Sequence, residues 1–380
     1  MQMNSIKELA TPAAVVDVPK MQRNIARMQA RADDLGVKLR PHVKTTKCLD
    51  IVQRQAAAGA QGITVSTLKE AEQFFAAGFP DILYAVGIAP NKFAQALALR
   101  ERGCDLKLIT DNAQVAQAIG VFGREHGHRF EVWIEVDCDG HRSGVPPGSD
   151  LLLDIGRALQ EGGSMLGGVL AHAGSSYELN TEAALKALAE VERSSCVTAA
   201  ERLRAQGWPC PVVSIGSTPT ALSAQSLQGV TELRAGVYVF FDLVMANVGV
   251  CAPQDVALSV LVTVIGHQLE KGWAIVDGGW MAMSRDRGTQ QQARDFGYGQ
   301  VCSVDGEVLP GYLLSGANQE HGILSRQGGE PDREIAQRFP VGTQLRILPN
   351  HACATGAQFP QYHALGADGG ISTWPRFYGW

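Results

Sequence analysis

The 380-residue sequence predicts an α/β protein: a closed (β/α)8 barrel of the TIM type over residues 1–250, followed by a mostly β domain over residues 251–380. Three observations carry that prediction. From residue 37 to about 242, eight short β-branched runs alternate with helical patterns. Eight strand–helix units favour a closed barrel over an open doubly wound sheet. Beyond residue 250 the helical spacing gives way to extended runs broken by Gly, Pro, Asn and Asp. Glycine is also in excess, 42 residues or about 11 % against a usual 7 % or so, as tight strand-to-helix turns and close backbone approach to a ligand require.

The eight barrel strands are expected at residues 37–43, 62–66, 81–86, 105–110, 130–137, 166–172, 212–216 and 231–240. Helices are expected at 67–77, where Leu68, Ala71, Phe74 and Phe75 recur at helical spacing, and at 92–102, 112–126 and 181–206. Asp111 and Asn180 stand where N-caps belong. The β domain is expected to use strands at 256–266, 273–278, 300–304, 312–315, 344–348 and 371–377, with one short helix near 330–339; the first residues of the chain are free to pair with it.

Composition narrows the function. Lys and Arg number 33 against 38 Asp and Glu, a net charge of −5, so no domain-scale excess of cation exists to displace counterions from nucleic acid. An apolar fraction of 45 % excludes a disordered chain. No apolar run reaches the 18 or so residues of a membrane span, and the opening MQMNSIKELATP lacks the layout of a signal peptide. Eight scattered cysteines without a CxxC pair read as reduced core thiols. The expectation is a cytoplasmic enzyme with no nucleic acid or membrane partner. GxGxxG after the first strand, GxxxxGK[ST], HExxH and GxSxG are all missing, which removes support for several common chemistries.

Chemistry in a barrel gathers where strands end at their C-terminal face. The first strand closes in Arg40-Pro41-His42-Val43-Lys44. A lysine there can be a desolvated amine with a lowered pKa, fit for a Schiff base and proton transfer, or a solvated loop residue. Lys47 reads as a surface residue within the next helix. The fifth strand ends in a dense polar segment from Glu135 to Gly144, which includes His141 and Arg142 and could equally be a solvated loop. The sixth ends in His172-Ala173-Gly174-Ser175-Ser176-Tyr177. The seventh ends in Gly216-Ser217-Thr218-Pro219-Thr220, a small-residue turn able to offer N–H and hydroxyl donors to a phosphate. The eighth carries Arg234-Ala235-Gly236-Val237. Any one of these turns is common; their arrival at successive strand ends is what counts.

In the β domain, Pro349-Asn350-His351-Ala352-Cys353 ends an apolar run. If it is a strand, His351 and Cys353 point to one face and could bind one cation, with positions left for water or substrate. A buried thiol beside a structural histidine is the alternative. Gln319-Glu320-His321-Gly322 is either a further polar group or a turn.

Taken together, RPHVKTTK (40–47), GITVSTLKEAE (62–72), GHRSG (140–144), HAGSSYE (172–178), GSTPT (216–220), QEHG (319–322) and PNHAC (349–353), with Thr11-Pro12, resemble the D-serine dehydratase and D-threonine aldolase family, whose pyridoxal phosphate enzymes share the alanine racemase fold. The resemblance spans nearly the whole chain and implies pyridoxal 5'-phosphate, a divalent metal (Zn, Mn, Co, Ni or Mg) and a homodimer. It gives Lys44 the Schiff-base position and Arg142 a place near the cofactor's phenolic oxygen. It sets His172 and Tyr177 along the ring, and Ser217, Thr218, Gly236 and Val237 around the phosphate. Arg234 resembles the racemase arginine that faces the pyridine nitrogen, and His351 and Cys353 match the metal pair of the dehydratase branch. The implied activity is a carbon–oxygen lyase that dehydrates a D-configured 3-hydroxy amino acid, D-threo-3-hydroxyaspartate foremost, to a 2-oxo acid and ammonia. D-Serine dehydration, or aldol cleavage to glycine and an aldehyde, uses the same parts. For a second substrate carboxylate, Arg142, His141, Arg285 and Arg287 are the cationic candidates.

Overall fold

The computed structural model describes residues 5–380; the first four residues of the expected barrel segment lie outside the described residues. The chain forms two compact units. One joins Arg27–Gly236 to Phe377–Trp380, and the other joins the described residues up to Ala26 to Val237–Arg376.

The first unit holds an eight-stranded parallel sheet, in spatial order Lys38–Leu39, Glu232–Leu233, Val212–Ile215, Met165–Ala171, Glu131–Val136, Asp105–Thr110, Asp81–Gly87 and Ile63–Val65. A parallel bridge between His42 and Thr64 joins the last strand to the first, so the sheet curls into a barrel. Leu83, Ile109, Trp133 and Leu170 form one buried cluster on its strands. The expected helices form at Leu68–Ala76, Phe93–Glu101, Ala113–Glu125 and Glu182–Ala205. The helix expected around Lys47 begins only at Leu49 and runs to Ala57, while helices at Leu151–Gly162 and at Val18–Asp34, the latter shared between the two units, are additional to the expected set.

Both expected N-caps move by one residue. Asn112, not Asp111, caps its helix by accepting the N–H groups of Gln114 and Val115, while Asp111 accepts the Gly144 N–H at 3.0 Å. Thr181, not Asn180, caps the long helix by accepting the Ala184 N–H. The eighth strand is only two residues long. Gly236 lies so close to the first strand's end that a Cβ there would meet the His42 carbonyl oxygen at 2.8 Å, and the chain turns into a 3-10 helix at Val237–Val239.

The second unit is a nine-stranded sheet in the order Trp273–Val276, Gly322–Arg326, Val308–Ala317, Gln300–Ser303, Gln344–Leu348, Leu258–Gln268, Ala13–Asp17, Gln361–Leu365 and Ile371–Pro375. Ala13–Asp17 runs antiparallel to Leu258–Gln268 and parallel to Gln361–Leu365. Val260, Val262, Val264, Val276, Leu314, Leu324 and Ile347 pack its core. The short helix forms at Ile335–Arg338. No helix among the described residues is long and apolar enough to cross a membrane.

Candidate active site

The barrel unit collects its polar residues at the C-terminal strand ends. Lys44 lies in a 3-10 helix, Val43–Thr45, directly after His42. It is solvent-exposed, the second of the two settings the sequence offered. Lys47, expected within the next helix, precedes it: it adopts a left-handed backbone (φ 45°) and its Nζ lies 3.9 Å from the buried Glu70 carboxylate.

Lys44 and two arginines set the field of the site. His42 is held neutral, well below the ordinary histidine range, by burial first and then by the charges of Lys44, Arg234 and Arg142. His172 falls to about 3, through burial and then Lys44 and Arg142. Four of the predicted residues, Lys44, Arg142, His172 and Arg234, are thereby within electrostatic reach of one another. His172 Nδ1 lies 3.1 Å from the Gly216 carbonyl oxygen, which fixes the ring, and the His172 and Tyr177 ring centroids are 6.2 Å apart. His42 Nδ1 is buried without a hydrogen-bond partner.

Arg142 is exposed, with Nη2 3.7 Å from Glu135 Oε1. Arg234 is buried; its Nε donates to Ser214 Oγ at 2.8 Å and its Nη2 donates to the Ala171 carbonyl. Burial pulls the Arg234 pKa down while Glu232 and Glu192 hold it up. Ser217 caps the helix Thr218–Ser223 in a reciprocal arrangement with Thr220, and Gly216 before it has φ +132°. Ser217 and Thr218 are buried. The turn is therefore stripped close to backbone, with hydroxyls at its edge.

The other unit holds the His–Cys pair, but not on a strand. The strand ends at Leu348; His351 is the N-cap residue of a short helix, Ala352–Gly356, and Cys353 lies in its first turn. Helical geometry, not strand alternation, brings the imidazole and thiol into hydrogen-bond contact. His351 Nδ1 lies 2.5 Å from Asp286 Oδ2, and the buried Asp242 accepts the Ala352 N–H. Burial opposes a charged His351, yet Asp286, Cys353 and Asp242 outweigh it and raise its pKa to about 11. Such a negative setting favours a cation. With Nδ1 taken by a carboxylate, Nε2 is left to ligate, the usual outer-shell arrangement for a metal-binding histidine. Among the described residues no group of three or more His, Cys, Asp or Glu is placed to hold a metal.

Of the candidate carboxylate binders, Arg285 stacks on Trp280 and Arg287 pairs with Asp295 at 2.9 Å. The His141 ring covers Gly174, where a Cβ would strike it at 2.2 Å. QEHG is the turn between strands Val308–Ala317 and Gly322–Arg326. Three residues escaped the sequence reading: Asp286, Asp242 and Glu192. Glu192 carried a visible signal, an acid at an apolar helix position.

Comparison with known proteins adds to this geometry. Residues 16–244 match the family model "Alanine racemase, N-terminal domain", and residues 257–365 match "Putative serine dehydratase domain". The chain is 69 % identical over 380 residues to a D-threo-3-hydroxyaspartate dehydratase of Delftia sp. (strain HT23), covering 99 % of this chain and 100 % of the relative. It is 30 % identical to a D-serine dehydratase of Dictyostelium discoideum, covering 97 % and 96 %. The solved structure of the Delftia protein superposes with a TM-score of 0.99 over 100 % of both chains. Two solved variants of a D-threo-3-hydroxyaspartate dehydratase, H351A and C353A, the latter in a metal-free form, share the same identity and TM-score; the fit covers all of this chain, with 98 % of the first and 100 % of the second.

Proposed function

The chain belongs to the D-serine dehydratase and D-threonine aldolase family with its alanine racemase-type barrel, and on that premise we propose a pyridoxal phosphate- and metal-dependent lyase that dehydrates D-threo-3-hydroxyaspartate to oxaloacetate and ammonia. The observation that carries the substrate is the 69 % identity, over the full length, to the Delftia dehydratase. The metal assignment is supported by His351 and Cys353, which stand in this chain at the numbers exchanged in the two dehydratase variants.

The barrel residues suit the cofactor. Lys44, Arg142 and Arg234 bring positive charge to the site, where burial first and then those charges hold His42 and His172 neutral, and Gly216 and Gly236 carry no side chains in their turns. A phosphorylated, anionic ring compound matches both features. When bound, pyridoxal phosphate supplies the electron sink for the pair left at the substrate's Cα. Lys44 is the amine that holds it and, once released, the base that takes the α-proton on Nζ. Arg142 is assigned to the phenolic oxygen, and His172 and Tyr177 to the ring. Ser217, Thr218, Gly236 and Val237 are assigned to the phosphate.

Arg234, fixed by Ser214 and Ala171, is assigned to the ring nitrogen. An arginine guanidinium does not hand over its proton in a protein, so the sink stays weak and loss of hydroxide needs help. His351 and Cys353 would hold a divalent cation (Zn, Mn, Co, Ni or Mg), whose Lewis acidity is that help. The reading extends to a cytoplasmic homodimer that works on a free D-amino acid; near-balanced charge speaks against nucleic acid as the partner.

The test is a product assay on purified protein with pyridoxal phosphate and Mn²⁺ or Zn²⁺. Given D-threo-3-hydroxyaspartate, oxaloacetate and ammonia are expected. Glycine and glyoxylate would make the protein an aldolase and overturn Cys353 as the mark of a dehydratase.

A further inference from the structure

Glu192 lies on the helix Glu182–Ala205, on a face otherwise filled by Leu185, Ala189, Cys196, Ala199 and Leu203. It is completely buried. Its Oε1 accepts the backbone N–H groups of Ala173 at 2.9 Å and Gly216 at 3.1 Å, which follow the sixth and seventh barrel strands. Its Oε2 accepts the Thr220 hydroxyl at 2.6 Å. Thr220 Oγ1 lies 2.9 Å from Ser217 Oγ, and Ser217 Oγ lies 2.9 Å from Ser176 Oγ. Three buried hydroxyls thus run in a line from a carboxylate to the turn assigned to the phosphate.

Each hydroxyl has one hydrogen, so the state of Glu192 sets the direction of the line. With the carboxylate ionised, Thr220 gives its hydrogen to Glu192. Ser217 must then give its own to Thr220, since otherwise lone pairs would face each other across 2.9 Å. Ser176 donates to Ser217 for the same reason. The N–H groups of Ser217 and Thr220 are taken by each other's hydroxyl oxygens, at 3.2 Å each. Every hydrogen of the line points inward, and none serves an anion. With Glu192 protonated the order reverses: the acid donates to Thr220, Thr220 to Ser217, and the Ser217 hydrogen is released from Thr220 to turn outward, to Ser176 Oγ or to an anion.

We infer that Glu192 is a positioning residue for the phosphate site, and that binding a phosphate there takes up one proton from solvent onto Glu192 and turns the hydroxyl line outward. The inference rests on the reading of Ser217 as part of the phosphate cradle. Charge acts in the same direction, because a buried carboxylate repels a phosphate. Burial already holds the Glu192 carboxyl above its ordinary range, against the opposing bonds from Thr220, Ala173 and Gly216 and the charge of Arg234. The other titratable groups around it, the thiols of Cys138 and Cys196 and the His172 imidazole, are held uncharged by burial, so Arg234 is the charge Glu192 faces.

The test compares full-length protein, freed of cofactor and reloaded with pyridoxal phosphate or with pyridoxal, which lacks the phosphate. Glu192→Gln keeps an oxygen for the two amides and sets an NH₂ donor against Thr220, so it imitates the protonated acid. Thr220→Val cuts the line while leaving the amide bonds. The dissociation constant of pyridoxal phosphate in the wild type should change with pH by about tenfold per unit more than in either variant, the signature of one linked proton. Infrared difference spectra should show a protonated carboxylic acid band when the wild type is loaded, lost in Glu192→Gln. Equal pH slopes in all three proteins, with pyridoxal phosphate still bound more tightly than pyridoxal, would overturn the relay and leave the cradle standing. If the two compounds bind alike and Ser217→Ala changes neither, the cradle reading fails and takes the relay with it. Should the variants not fold, the wild-type infrared spectrum decides: no acid band on loading refutes the proposal.

Discussion

Replacing Glu232 by Ala tests how the barrel unit tolerates a buried ion network. Both Glu232 oxygens accept the Arg40 Nε–H, at 3.0 and 3.2 Å, and Oε1 accepts the Ser214 hydroxyl at 2.8 Å. Arg40 also makes two parallel bonds to Asp81, at 2.8 and 3.0 Å. Lys107 donates to Asp81 and, at 2.6 Å, to Asp105. At the other end Ser214 accepts Arg234 Nε. Burial works against the Arg40 charge, yet Glu232 and Asp81 together hold its pKa above the ordinary arginine value.

Without Glu232, Arg40 and Lys107 would be left with Asp81 and Asp105, whose side chains are 36 % and 54 % exposed and so partly screened. Removing one partner of a buried pair costs about 3–5 kcal/mol. Asp81 keeps Arg40 partly paired, so the lower figure applies, about 3 kcal/mol. For a unit of this size that is a fall of roughly 6–12 °C in melting temperature. Scanning calorimetry on Glu232→Ala and on the Arg40→Met, Glu232→Leu double variant measures it. The double variant should recover much of the loss, because an apolar pair replaces an unpaired charge. A single-variant loss below about 1 kcal/mol, or a double variant no better than the single one, would refute the network as a source of stability.

Lys44→Ala should remove both turnover and the visible absorption band of the bound cofactor; survival of the band would refute the lysine assignment. Cys353→Ala should lose metal and elimination together while pyridoxal phosphate stays bound, and unchanged turnover would sink the metal role. His172 has a folded pKa of about 3 against 6.5. The unfolded chain therefore binds a proton that the folded one refuses, and the stabilisation is fully present above pH 6.5 and lost as pH falls toward 3. His172→Gln should flatten that acid limb of the cofactor-free protein's stability profile, and an unaltered limb in urea titrations would contradict the assignment.

The barrel was readable because its strands announce themselves. Asp105–Thr110 forms at its expected bounds, as does Gln344–Leu348 in the other unit, each a β-branched or aliphatic run between turn residues. The helix Val18–Asp34 was overlooked although Met21, Ile25, Met28 and Ala32 recur at helical spacing and are all buried. It starts directly after the strand Ala13–Asp17, with no turn residue between them to separate the two periods. Asp17 does the separating: its side chain accepts the Lys20 N–H, a capping bond that a strand residue gives no sign of.

The site residues divide along the same physical line. Candidates at strand ends, such as Lys44, His172 and Ser217, could be named because the barrel's geometry says where to look. The residues that support them could not, because hydrogen bonds across the fold leave no spacing in the chain. Glu192 is 24 residues from the Gly216 amide it binds, and Asp286 is 65 from His351. The His351–Cys353 pair shows the reverse case. Its two-residue spacing suggested strand alternation, whereas a helix N-terminus makes the contact. Either backbone satisfies the motif, so the motif names candidate donors and is silent on their frame. What selects the helical frame lies a hundred residues upstream, in the Asp242 carboxylate that accepts the Ala352 N–H at 2.9 Å and so satisfies one of the amides a helix start leaves unpaired.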